Sequence, residues 1–273
     1  MRKNAFLFCM ACISFANAQI IRVQHFDAHT THAPELFELF KTKFKLPLIY
    51  DYREYGNFSS GGLWFGNSIL EFVNYEGLAP GKALFKGIAL EPIQHTDAIV
   101  RMLDDYGVVH GPPVTAGFTV DNIEKTYWTN IALKEPGSDD VRVFVCDYTD
   151  RALVNNLKKK ARKIFTEQGG GPLGIIGLKK IIIETSDLEK TLQGWISIPG
   201  AKKTGNNHFS FFDGPEIIVE KADKDGIKEI QVQVRSVEAA SKFLMENQMI
   251  FMENKTILIN PGKVFGLRII LEQ

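Results

Sequence analysis

Cysteine is scarce in this chain and badly placed for a disulfide framework. The 273 residues include 3 cysteines, of which Cys9 and Cys12 stand in an N-terminal apolar run and only Cys146 lies beyond it. A small fold stapled by disulfides is excluded, and the length favours about two domains with cores large enough to do without them. No later apolar run approaches the ~20 residues of a membrane span. Excess charge of one sign is missing as well: Lys plus Arg and Asp plus Glu both total 32. No basic stripe therefore favours nucleic acid or an anionic membrane, and small molecules or other proteins are the expected partners. The chain also lacks a phosphate loop, a Gly-x-Ser-x-Gly elbow and paired CxxC motifs. Nucleotide hydrolysis, serine-hydrolase chemistry, structural zinc and a nucleotide cofactor have no support.

The apolar run that does exist is read as a leader. Arg2 and Lys3 precede Ala5 to Ala16, and Ala16-Asn17-Ala18 follows as a small-residue cleavage site. Residues 1–18 are expected to be a secretory signal peptide, which places the mature protein in a periplasm or outside the cell, beginning at Gln19. Cys146 is then the one cysteine left, with no partner for an intramolecular disulfide.

One pattern recurs along the rest of the chain: an alternating strand of about eight residues that runs into an amphipathic helix. It opens at Ile21–Ala28 before Pro34–Lys43, at Leu84–Pro92 before Thr96–Tyr106, at Leu178–Thr185 before Leu188–Trp195, and at Ile227–Arg235 before Val237–Glu246. Further strands follow each opening, so each unit reads as strand, helix and roughly three more strands, a module that buries its apolar face only against copies of itself. A basic helix over Arg151–Gln168 carries a run of positive charge that reads as a solvated face, and Gly169-Gly170-Gly171-Pro172 marks a flexible boundary. The expected organisation is an α+β protein with domains at 19–168 and 175–273 and a Gly-rich linker at 169–174, each half folding independently.

The residues able to do chemistry gather in the first unit. Side chains alternate along a strand, so His25, Asp27 and His29 share one face while Phe26 and Ala28 take the other. If Phe26 and Ala28 pack under the helix, imidazole and carboxylate line the opposite face, where they suit a divalent metal. A partly exposed strand that turns these groups to water accounts for the same spacing. Tyr50 and Tyr52 alternate along the next strand and Trp64 stands on the third, a set that reads either as the wall of an aromatic pocket, with Asp27 among its polar groups, or as core.

The order of these modules, more than any short motif, resembles the vicinal oxygen chelate superfamily, which includes glyoxalase I, extradiol dioxygenases and bleomycin-resistance proteins. The segment His25 to Phe40 looks like that family's opening strand, turn and helix, Leu46-Pro47-Leu48 like its post-helix turn, and Gly61 to Phe72 like its third and fourth strands. The resemblance implies four βαβββ modules paired into two domains, with mixed, cupped sheets and helices on the outer face. It also implies a metal site, for Zn, Fe, Mn or Ni, in which His25 and Glu71 are the first ligand pair. The second pair is not matched: Ile88 takes the place of the second His, and Cys146 or Asp147 is offered in place of the second acid. Lys180, Ile218, Ile230 and Ile270 stand at the corresponding places of the second domain, which reads as a structural copy.

Three functions fit these residues. One is an exported enzyme of glyoxalase or dioxygenase type, with a metal at His25 and Glu71 and proton transfer by His29 or Glu71. Another is a metal-free protein that holds a small molecule in the same cup without turnover. The last is a scaffold that recognises another protein.

Overall fold

The computed structural model describes residues 20–120 and 123–273; the expected signal peptide lies outside them. The chain forms two eight-stranded mixed sheets of matching topology. The first is built from β1 (Ile20–His29), β2 (Leu48–Glu54), β3 (Phe58–Trp64), β4 (Ile69–Tyr75), β5 (Leu84–Pro92), β6 (Val114–Val120), β7 (Ile123–Leu133) and β8 (Arg142–Tyr148), in the order β2-β3-β4-β1-β5-β8-β7-β6. The second contains β9 (Ile175–Thr185), β10 (Lys202–Lys203), β11 (His208–Ser210), β12 (Glu216–Lys221), β13 (Gly226–Val234), β14 (Ile250–Glu253), β15 (Thr256–Ile259) and β16 (Ile269–Glu272), in the order β10-β11-β12-β9-β13-β16-β15-β14. In each, the first strand of a module runs parallel to that module's last strand and antiparallel to the first strand of its partner module. This is the four-module α+β arrangement that the repeat implies.

The helices are α1 (Ala33–Glu38, continued by a widened turn at Leu39–Lys43), α2 (Thr96–Asp105), α3 (Arg151–Glu167), α4 (Leu188–Ser197) and α5 (Val237–Glu246). Pro34 in the first turn of α1 costs no hydrogen bond there, and Ala33, Leu36 and Phe37 form its buried stripe. Phe37 and Phe40 meet Tyr52 and Phe72, with Phe26 and Ala28 also buried on this outer face of the first sheet.

The charged face of α3 is solvated, with Lys159, Lys160, Arg162 and Lys163 exposed, while its other face lies across the inner side of the first sheet. Leu153, Val154 and Leu157 face a cavity there, Ala161 and Phe165 are buried, and Lys158 reaches Glu91 on β5 at 2.9 Å. The basic side chains that look solvated in sequence are partly spent on this contact, since Arg162 sits 5.3 Å from the ring centroid of Trp64.

The boundary glycines are a rigid corner. Gly169 and Gly170, at φ 62° and 80°, end α3 with the paired bonds of a Schellman cap, Gly170 N–H to Phe165 O and Gly169 N–H to Thr166 O, both 3.0 Å. A Cβ on Gly170 would strike the Ile175 backbone, and one on Gly171 the Phe44 carbonyl. The two sheets are then joined on either side of this corner. The Asn67 amide bonds both the N–H and the C=O of Leu178 at 2.9 Å, His32 stacks on Phe265 at 4.2 Å, and one hydrophobic core continues through both halves. The boundary separates two sheets but not two independent cores.

Candidate functional site

The inner face of the first sheet and α3 enclose a cavity of about 650 Å³. Its floor is laid by β1 and β4, which run parallel with Asp27 opposite Glu71. Odd-numbered residues of both strands therefore face inward: His25 and Asp27 from β1, and Ile69, Glu71, Val73 and Tyr75 from β4 all line the space. Tyr50, Arg53, Tyr55, Phe58, Trp128, Phe144 and Tyr148 supply most of the wall.

His25 is buried, its Nε2 3.4 Å from Glu71 Oε2 and its Nδ1 3.0 Å from the side-chain oxygen of Gln24. Burial lowers its pKa from 6.5 against the upward pull of Glu71 and Asp27. A neutral ring carries one N–H, so one of these two nitrogens donates and the other accepts. Asp27 lies 3.3 Å from His29 Nε2. Burial works to raise the Asp27 carboxyl, but His29, Arg142 and His25 outweigh it and hold it below its ordinary value. Its Oδ1 has no hydrogen-bond partner among the described residues. The carboxylate sits where a Cβ of Gly87 would be, so glycine at that point of β5 is what makes room for it. Tyr50 stands over Gly62 for the same reason, and burial, then Glu71, push its hydroxyl well above the usual tyrosine range.

Several residues singled out in sequence lie elsewhere. Tyr52 packs on Phe37 on the outer face and bonds Ser59 at 2.8 Å. An extra residue in β2 explains this: Tyr50 pairs with Gly62 but Arg53 pairs with Ser60, a bulge that reverses the alternation and turns Arg53 and Tyr55 inward in place of Tyr52. Trp64 is on the inner face but fully buried beneath α3, away from the cavity. His29 is packed between Asp27 and Tyr75, whose ring centroid is 5.1 Å away, and does not line the cavity.

The second ligand pair also resolves differently. Ile88 points into the core, and Ala89, paired with His25, takes the inward position. Asp147 faces away from the cavity, held by the Thr96 N–H at 2.8 Å and by Arg151. Cys146 does face inward, but burial pushes its thiol far above the ordinary range. In the second domain Ile230 is likewise a core residue.

Sequence reading missed Arg142, Arg53 and Asn130. Arg142 donates to the Tyr75 hydroxyl at 2.6 Å and lies over the rings of Tyr75 and Phe144, each at 5.6 Å. Arg53 donates to the Tyr55 hydroxyl at 2.8 Å. The alternation of β8 marks Arg142 as a neighbour of Phe144 and Cys146, a signal present in the sequence. The bulge that exposes Arg53 has none.

Against a metal, this site is short of donors. His25 and Glu71 are one pair, the partner module offers Ala89 where the second His would stand, and no group of three or more His, Cys, Asp or Glu able to hold a metal occurs among the described residues. A catalytic metal site normally needs three protein ligands. The residues present do not fit one.

Comparison with solved structures settles the fold. A hypothetical protein from Staphylococcus aureus superposes with TM-score 0.62 at 12% identity, covering 93% of this chain and 99% of that one. The E323L mutant of homoprotocatechuate 2,3-dioxygenase from Brevibacterium fuscum gives TM-score 0.56 at 11% identity over 95% and 73%. The same enzyme from Arthrobacter globiformis gives 0.54 at 10% over 93% and 79%. The fold is the one shared with these structures. No family model and no curated protein matches the sequence. At such identities the vicinal oxygen chelate likeness speaks for the architecture, two cupped domains of paired βαβββ modules, and the site must speak for the chemistry.

Proposed function

We propose that the protein holds a small molecule in the cup of its first domain, without a metal and without turnover. The observation that carries this reading is the cavity itself: about 650 Å³ of space between α3 and the sheet, walled by aromatic rings and floored by convergent polar groups. That is the form of a small-molecule site, and no third donor is grouped with His25 and Glu71 to hold a metal among the described residues. The fold of ring-cleaving dioxygenases would then be used as a receptacle. We further propose export, on the strength of Arg2, Lys3, the apolar run and the Ala16-Asn17-Ala18 site. Among the described residues no helix is long and apolar enough to cross a membrane.

The test combines metal analysis of purified protein with titration of the apolar dye Nile red in buffer containing EDTA. Saturable binding that survives the chelator, weakens about tenfold or more in Leu157→Arg, and comes with no stoichiometric metal supports the reading. Stoichiometric metal that disappears in His25→Ala contradicts it, as does dye binding that Leu157→Arg leaves unchanged.

A further inference from the structure

We propose that the occupant of the first cup is a small organic ammonium, its charged nitrogen on the floor and an aromatic or apolar body along the tyrosine wall. This rests on the reading of the cup as a small-molecule site and states which chemistry that site selects.

The floor asks for donors and for positive charge. Asp27 is 3% exposed, lines the cavity, and keeps Oδ1 without a hydrogen-bond partner among the described residues. Asn130, on the same cavity, likewise has a buried and unpartnered side-chain oxygen. Glu71 lies across from Asp27 in register, so two carboxylates share the floor. A buried acceptor without a donor keeps its desolvation cost, larger when it is charged, and an ammonium brings up to three N–H groups together with positive charge. A carboxylate or phosphate placed there would meet Asp27 and Glu71 head-on.

The wall agrees with the floor. Tyr50, Tyr55, Phe144 and Tyr148 line the cavity, and aromatic faces attract cations while the rest of the ring surface takes an apolar body. Of the two guanidinium groups of the lining, Arg53 donates to the Tyr55 hydroxyl and Arg142 to that of Tyr75, while the single charge of Arg142 offsets only one of the two floor carboxylates.

Calorimetric titration of the whole protein with three matched probes tests this: naphthylethylamine, its neutral isostere naphthylethanol, and naphthylpropionate. The amine is expected to bind at least about tenfold more tightly than the alcohol, and the acid least. Asp27→Asn should erase the preference, with folding checked by its cooperative urea transition, and Glu71→Gln should narrow it in the same way; a folded Asp27→Asn protein that keeps the full preference overturns the ammonium. Equal or tighter binding of the alcohol or the acid overturns the ammonium and leaves the cup reading standing. Failure of all three probes with Nile red still bound also overturns the ammonium alone. Loss of Nile red binding as well removes both.

Discussion

At the scale of single residues, burial decides what each group can do. Cys146 faces the cavity, yet its thiol is held protonated by desolvation. It should react with a disulfide reagent far more slowly in the native protein than after unfolding in urea; native labelling at the rate of an exposed thiol would contradict its placement. His25 gives a pH signature. Its folded pKa lies below the unfolded value near 6.5, so as pH falls under that value the unfolded chain takes the proton first. Its contribution to stability is therefore intact above that pH and is lost as pH falls toward the folded pKa. Urea unfolding across this range should show His25→Gln losing less stability on acidification than wild type, and parallel curves would count against burial of a neutral ring. Gly87 is the third case: Gly87→Ala drives a methyl into the Asp27 carboxylate and should cost about 1–3 kcal/mol, whereas Gly81→Ala, with open space around it, should cost far less. The inward face of β1 was legible from alternation alone. Tyr52 and Trp64 were not, because a bulge in β2 and a helix laid across β3 are tertiary facts that no local period reports.

Elements show the same division. The strand and helix openings of all four modules stand in the sequence as hydrophobic periodicity, and α5 falls at its expected bounds. The position of α3 does not, since a run of lysines looks the same whether it faces water or reaches across a sheet. Lys158 is the anchor that turns α3 inward, bonded to both oxygens of Glu91 at 3.0 and 2.9 Å in a largely buried pair. Lys158→Ala should destabilise by about 1–3 kcal/mol and loosen the cavity's cover, seen as weaker dye binding, while Lys159→Ala on the exposed side should do neither. An unchanged Lys158→Ala protein would mean that α3 is held by its apolar residues alone. The glycine corner is an element-scale matter too: three glycines signal a break in the helix, but only the φ values and the Schellman bonds distinguish a rigid turn from a tether.

For the whole molecule, the repeat and the paired sheets were readable because modules with one apolar face must stack, and that logic is independent of sequence identity. The chemistry was less readable, because the fold carries a first ligand pair whose partner strands place Ala89 and Phe144 on the facing side. The claim at stake is that one cup, the first, takes a small molecule without help from a metal. Of the three tryptophans, Trp64 and Trp195 are buried in the core and Trp128 lines that cup. Protein labelled with fluorotryptophan and titrated with Nile red in EDTA therefore reports the site directly by fluorine NMR. The Trp128 resonance should move to saturation while those of Trp64 and Trp195 hold still. A shift centred on Trp195, or no shift until a divalent metal is restored, would contradict the account.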